Sequence, residues 1–216
     1  MENKADIDAL RTKFKHESLN QPDLPADPYL LFATWLRQAE EAELPYPTGM
    51  SLATASPTGE VSSRIVLLRY FDQSGFVFFS GYDTKKGEQI AQNPQAALLF
   101  PWLILERQVK IFGTAEKISS RESLRFFTTR SKESQIGAWL SQSSGVISSR
   151  SVLRMKLDEM KHKFGDKQVP LPAFWGGYRV IARSMEFWQG HSSGLHDRFV
   201  YTAKGEGDWR IERLAP

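Results

Sequence analysis

Between Met50 and Lys117 the chain carries five short runs, and their connectors constrain the fold more than any other feature. The runs are "MSLATA", "SSRIVLLRY", "GFVFFS", "AALLFPW" and "RQVKIFGTAEK", joined by "SPTGE", "DQSG" and one short helical piece, "TKKGEQIAQN". Strands in series without long helical crossovers argue against a doubly wound parallel sheet. In the last run Val109, Ile111, Gly113 and Ala115 alternate with Lys110, Phe112 and Thr114, the pattern of a half-buried antiparallel strand. The pattern predicts an antiparallel barrel with helices packed at its ends: mainly β with flanking helices, an α+β fold.

Helix signals frame that barrel. Asp27 is placed as an N-cap and Pro28 as the first helical residue, with Leu31, Phe32, Trp35, Leu36 and Ala39 on one face of a helix running to Leu44. Pro45 and Pro47 end it. Ser119 and Glu122 form a capping box for a helix to about Arg130, and more helix is expected at "SKESQIGAWL" and "SSRSVLRMKLDEMKHKF". The tail returns to strands at "GGYRVIA", "SMEFWQ", "RFVYTA" and "DWRIERLAP". Residues 1–26, with the proline-rich "NQPDLPADP", read as an extended arm, and 27–216 as a single domain.

Composition narrows the function classes. With 28 basic and 25 acidic residues the net charge is +3, too mild to argue for nucleic acid, and the aromatic residues follow core patterns. The chain has no cysteine, which removes thiolate chemistry and fits a reducing compartment. Its charged N-terminus lacks an apolar signal region, and the longest apolar run, "AALLFPWLIL", is too short to cross a bilayer. A cytoplasmic protein with no membrane partner is the expectation.

Two of the four histidines, His191 and His196, lie in "EFWQGHSSGLHDRF". A five-residue spacing in a glycine- and serine-rich loop fixes no shared face for a metal, so no metal site is assigned. No G-x-S-x-G marks a hydrolase, and no glycine-rich dinucleotide or P-loop fingerprint is present. Cations carry the stronger signal. Arg64 and Arg69 flank the apolar Ile65–Leu68, either as strand-end arginines reaching water or as ligands. Lys85 and Lys86 fall in the first turn of a helix, where an anion would offset their unfavourable position. Arg130, Ser131 and Ser134 sit near a helix junction. Together they suggest a phosphorylated cofactor and a phosphorylated substrate.

At this level of detail "RIVLLR", "FVFFS…KKGEQI", "LLFPW..LERQV", "SQIGAW", "PLPAFWGGYRV", "EFWQG….LHDRF" and "W.IERLAP" resemble the pyridoxine/pyridoxamine 5′-phosphate oxidase family, in order from about Leu24 to Pro216. The resemblance implies an antiparallel split β-barrel binding FMN at a homodimer interface. It also implies oxidation of pyridoxamine or pyridoxine 5′-phosphate to pyridoxal 5′-phosphate, with O₂ reduced to H₂O₂. By motif position the FMN contacts fall on Arg64, Ile65, Val66, Leu67, Leu68, Arg69, Phe79, Ser80, Lys85, Lys86, Gln108, Trp188 and Arg198. The family's Gln-Ser pair falls on Gln142–Ser143 or, one residue on, Ser143–Ser144. Substrate contacts are implied for Arg11, Phe14, Arg69, Phe126, Arg130, Ser134, Gly194, Leu195 and His196, with His196 and Arg198 the catalytic pair. His191 remains a loop residue.

Departures from the family pattern concentrate in the substrate set. Gly194 stands where an arginine is usual, Phe14 and Phe126 where tyrosines are, Arg69 for a lysine and Tyr46 for an acidic residue. These motivate an alternative: a divergent FMN-binding homologue acting on another substrate, such as a phenazine precursor, or a weakly active pyridoxal phosphate carrier.

Overall fold

The computed structural model describes residues 19–140, 149–165, 167–191, 194–205 and 207–216. The strands are β1 (Gly49–Ala55), β2 (Val61–Leu67), β3 (Tyr70–Asp72), β4 (Gly75–Gly81), β5 (Gln95–Trp102), β6 (Arg107–Lys117), β7 (Trp175–Gln189), β8 (Asp197–Gly205) and β9 (Asp208–Arg213). All their pairings are antiparallel, in the order β2-β1-β5-β6-β7-β4-β3, with β8 on β7 and β9 on β8. The helices are α1 (Pro28–Glu41), α2 (Lys85–Gln92), α3 (Ser120–Thr129), α4 (Lys132–Leu140) and α5 (Arg150–Phe164).

Strand β7 explains the split. From Tyr178 to Gln189 one edge pairs with β6. On the other edge its first part, Trp175 to Val180, pairs with β4, and its last part, Ser184 to Gln189, pairs with β8. The sheet therefore forks about the middle of one strand. "GGYRVIA" and "SMEFWQ", expected as two strands, are this one continuous strand. In place of a break between them there is a bulge: Phe112 faces Ser184 while Gly113 faces Ala182. A Cβ on Gly113 would lie 1.9 Å from the Ile181 carbonyl oxygen, so only glycine permits that approach.

A second departure concerns "SSRIVLLRY", expected as one strand. It breaks after Leu67 because the chain changes partners. Leu68 N–H bonds the Thr48 carbonyl beside β1, whereas Arg69 N–H bonds Val77 of β4. The corner re-aims Arg69 relative to Arg64, which a simple two-residue alternation does not anticipate.

Helix α1 fills the sheet's concave side. The Asp27 carboxylate caps it by accepting from Tyr29 N–H at 2.9 Å, and Leu31, Phe32, Trp35, Leu36 and Ala39 are all buried. Phe32 meets Phe71, Phe76 and Phe100 edge-on at 4.9 Å each. Each such fully buried side chain stabilises the fold by about 1.5–3 kcal/mol. The helix stops at Glu41, short of Leu44, because Glu43 turns left-handed (φ 54°) and Leu44 N–H closes back on the Ala39 carbonyl. A second cluster, around Phe127, Ile136, Phe164 and Trp175, joins α3, α4 and α5 to the start of β7. The described end of the arm is tethered: Leu19 and Leu24 pack on the core, and Tyr201 donates to the Pro25 carbonyl.

Candidate functional site

Three groups of side chains gather at positions set by these elements. The first surrounds Arg64 on β2. Its guanidinium donates to the Leu52 carbonyl and to the hydroxyls of Thr54 and Ser62. Those hydroxyls in turn donate to Gln89 Oε1 on α2, each at 2.6 Å, and Gln89 Nε2 donates to the Glu60 carbonyl. Gln89 is buried, and reading the sequence for charges passed over it. Lys86 stands beside Arg64 at the start of α2. Burial, and then the neighbouring Arg64, push the Lys86 ammonium below its ordinary range. The adjacent Lys85 is different: it pairs with Glu60 at 2.6 Å in an exposed position.

The second group lies where β4 meets the start of β7. Phe79 stacks on Phe126 at 4.0 Å and on Trp175 at 5.3 Å. Arg69 lies 5.6 Å from the Phe126 ring centre and Arg130 lies 5.0 Å from that of Trp175. Burial, and then Arg69, push the Arg130 guanidinium down, and its buried Nη1 makes no hydrogen bond. Ser134 N–H and hydroxyl both meet the Ser131 hydroxyl. A cavity of about 400 Å³ opens beside Tyr70, Arg125, Phe126 and Thr129.

None of Arg64, Arg69, Lys86 and Arg130 forms an ion pair with a carboxylate among the described residues. Lys86 and Arg130, half-buried beside Arg64 and Arg69, are unfavourable neighbours of like charge unless an anion joins them. The donor set fits two phosphate groups: Arg64 and Lys86 for one, Arg69, Arg130 and Ser134 for the other.

The third group closes the far end of β7. Trp188 faces Gln108 across the β6–β7 ladder, and its ring lies 4.7 Å from that of His196. Both rings line a cavity of about 250 Å³ with Gln108, Arg107 and His191. Arg198 is clamped: Nε and Nη2 donate to Glu186 Oε1, and Nη1 to the Ala215 carbonyl near the C-terminus. Glu186 also binds Lys110 at 2.9 Å. Arg107, over the Trp35 ring and donating to Gln38 and Gln189, is pushed by burial down to about 10.

His191 is more than the loop residue the sequence suggested. Its Nε2 lies 2.8 Å from Asp197 Oδ2, and its backbone N–H donates to His196 Nδ1. Burial raises the Asp197 carboxyl, but the hydrogen bonds from Arg213, His191 and Leu19 N–H outweigh it and hold it below the usual carboxylate range. Glu186 and Asp197 were legible only as acidic residues inside apolar strand patterns, a weak signal for buried anchors.

Of the other expected contacts, Leu68 is buried, Val66 packs on the core, Leu67 is half-buried and Ile65 is exposed. Ser80 on β4 faces Gly176 on β7, Gly194 is left-handed (φ 77°), and Leu195 is exposed. Arg11, Phe14, Gln142 and Ser143 lie outside the described residues. Among those described, no hydrogen bond, ion pair or ring contact joins the Trp188 group to either cation group. Trp175 and Trp188 are separated by 13 residues of one strand, a span of roughly 40 Å if it ran straight.

Two family models match this chain: "Pyridoxamine 5′-phosphate oxidase" over residues 36–164, and "Pyridoxine 5′-phosphate oxidase C-terminal dimerisation region" over 175–216. A pyridoxine/pyridoxamine 5′-phosphate oxidase of Rippkaea orientalis is 54% identical over 98% of this chain and 100% of its own. That of Crocosphaera subtropica is 55% identical, with the same coverages. Among solved structures, PhzG from Burkholderia lata 383, in complex with tetrahydrophenazine-1-carboxylic acid, superposes with a TM-score of 0.86 at 29% identity. That match covers 93% of this chain and 98% of PhzG. Matched along nearly its whole length, and folded as the split barrel its motifs imply, the chain belongs to the pyridoxine/pyridoxamine 5′-phosphate oxidase family.

Proposed function

We propose that this protein oxidises pyridoxamine 5′-phosphate and pyridoxine 5′-phosphate to pyridoxal 5′-phosphate, using FMN and O₂ and releasing H₂O₂. The observation that carries the reading is the pair of cation groups, each with a half-buried member and each without a carboxylate partner among the described residues. They are matched in number to one phosphorylated cofactor and one phosphorylated substrate. Relatives above 50% identity bear the oxidase name, whereas the phenazine-associated structure stands at 29%, so the vitamin substrate is favoured over a phenazine precursor.

The chain's own residues divide the work. Arg64 and Lys86 hold the FMN phosphate, with the hydroxyl network on Gln89 fixing the arginine's direction. Gln108, Trp188 and Arg198 meet the flavin, with Ser80 and the backbone of Ile65 to Leu68 alongside. Arg69, Arg130 and Ser134 take the substrate phosphate, and Phe126, stacked on Phe79, supplies an apolar wall in place of a hydroxyl. His196 and Leu195 cover the substrate ring, with Gly194 leaving space where a larger side chain is usual. Arg11, Phe14, Gln142 and Ser143 complete the set by motif position. When bound, FMN supplies acceptance of two electrons from the substrate carbon and reoxidation by O₂.

The separation along β7 supports a homodimer, in which the Trp188 end of one copy covers the cation groups of the other. The match to a dimerisation region supports the same assembly. Residues 27–216 act as one FMN-binding domain behind the arm 1–26, in the cytoplasm and without a nucleic-acid or membrane partner. Among the described residues no helix is long and apolar enough to cross a membrane.

The test is direct. FMN-loaded protein given pyridoxamine 5′-phosphate should yield pyridoxal 5′-phosphate and H₂O₂ in equal amounts. Stoichiometric FMN binding without turnover at saturating substrate would overturn the reading.

A further inference from the structure

The loop after β7 holds a histidine that the proposed chemistry does not use. Resting on the placement of His196 over the substrate, we infer that His191 is a positioning residue that sets the orientation and tautomer of His196. Its backbone N–H donates to His196 Nδ1 at 3.1 Å, which makes Nδ1 an acceptor and puts the proton of the neutral ring on Nε2. Nε2 is then the nitrogen free to donate within the cavity that His196 lines with Trp188.

A backbone donor positions a ring only if the backbone itself is held, and here the side chain of His191 does that. Asp197 is buried and both of its oxygens are engaged. Oδ1 accepts from Arg213 at 2.5 Å, and Oδ2 accepts from Leu19 N–H at 2.9 Å and meets His191 Nε2 at 2.8 Å. A carboxylate held below its usual range accepts only, so the proton in the last bond belongs to His191. The imidazole thus anchors the start of the loop. Gly194 is left-handed with nothing within 4 Å of a Cβ position, and Leu195 is 73% exposed. His191 also accepts from Gly194 N–H at 3.0 Å through its carbonyl, so among the described residues three bonds of the loop pass through this one residue.

The inference is tested on FMN-loaded protein carrying His191→Ala, which removes the anchor, and His191→Gln, whose longer amide can still donate to Asp197. Imidazole ¹⁵N spectra at about pH 8.5, above the ordinary histidine range, report the tautomer. In the wild type, His196 Nδ1 should appear as an unprotonated nitrogen. In His191→Ala it should shift towards a mixture of tautomers. The specificity constant for pyridoxamine 5′-phosphate should fall about tenfold, the loss expected for one well-formed hydrogen bond, while FMN affinity stays within about twofold. His191→Gln should recover both the spectrum and most of the turnover.

An unchanged His196 spectrum in His191→Ala would overturn the inference, whatever the activity. A fall in turnover that glutamine does not rescue would also overturn it, by showing that only packing was lost. If His191→Ala does not fold, His191→Asn, too short to reach Asp197, carries the same comparison. Failure of the underlying placement looks different: His196→Ala would then keep full turnover, while the spectra would still report whether His191 sets the ring.

Discussion

The two ends of β7 obey opposite electrostatic rules. Near Trp175, Arg69 and Arg130 lie side by side over aromatic rings with no carboxylate partner among the described residues, and beside α2 Arg64 and Lys86 are likewise neighbours without one. Near Gln189 most of the cations are answered. Arg198 and Lys110 share Glu186, while Arg213 pairs with Asp197, which His191 also hydrogen-bonds. Ion-paired cations with buried anchors are held in one direction, which suits orienting a ring or guanidinium. Lys86 and Arg130, half-buried beside another cation, carry an unfavourable interaction that an anion would relieve.

The sharpest way to break this contrast is Arg130→Leu. If Arg130 is poised for a phosphate, the specificity constant for pyridoxamine 5′-phosphate should fall about a hundredfold, since a charge-assisted contact is lost. The melting temperature should hold or rise, because a buried, unbonded guanidinium nitrogen beside Arg69 is removed. A loss of stability alongside activity would show instead that Arg130 is structural.

Lys86→Ala should weaken FMN about tenfold by titration of flavin fluorescence. Lys85→Ala should change it less than about twofold, as expected where an exposed ion pair contributes little. Equal effects would mean that the pairing of Lys85 with Glu60 gives way when FMN binds.

At the other end the expected loss is in stability. Glu186→Ala leaves Arg198 and Lys110 without their shared carboxylate. Because both cations keep some solvent, the cost should be about 1–2 kcal/mol, less than for a fully buried pair, read from urea midpoints.

The smallest effect concerns acid. Asp197 is depressed in the folded state, so its contribution is complete above the ordinary carboxylate value of about 4 and is lost as pH falls through its lower folded value. Arg213→Met removes one of the bonds holding it down. The variant should be less stable at neutral pH, and its stability should depend less on pH on the acid side of about pH 4 than the wild type's does. Parallel acid titrations by circular dichroism would contradict the role given to Arg213.

Much of the fold was legible because its signals are local. The cap at Asp27, the apolar face from Leu31 to Ala39, the Ser119–Glu122 box and the alternation along β6 each act within a few residues, and each is observed. The misreadings lie where a distant partner decides. The break after Leu67 depends on a switch from β1 to β4, and the continuity of β7 on a bulge opposite Gly113. The site divides the same way. Arg64, Lys86 and Arg130 declare themselves as cations in apolar or helix-start contexts. Gln89, Glu186, Asp197 and His191 do not, since each acts through residues many positions away or on a neighbouring element.

By itself, then, the sequence determined an antiparallel barrel with end-packed helices, the cations available for phosphate, and the motif series of one family. Those follow from periodicity, capping and residue chemistry, which act at short range along the chain. Only the tertiary structure decided which cations stay without a carboxylate and which are clamped. It also set Trp175 and Trp188 at opposite ends of one strand, and joined His191 to both a buried carboxylate and His196. These depend on strand register and burial, which bring Asp197, Arg213 and Leu19 together across nearly the whole chain.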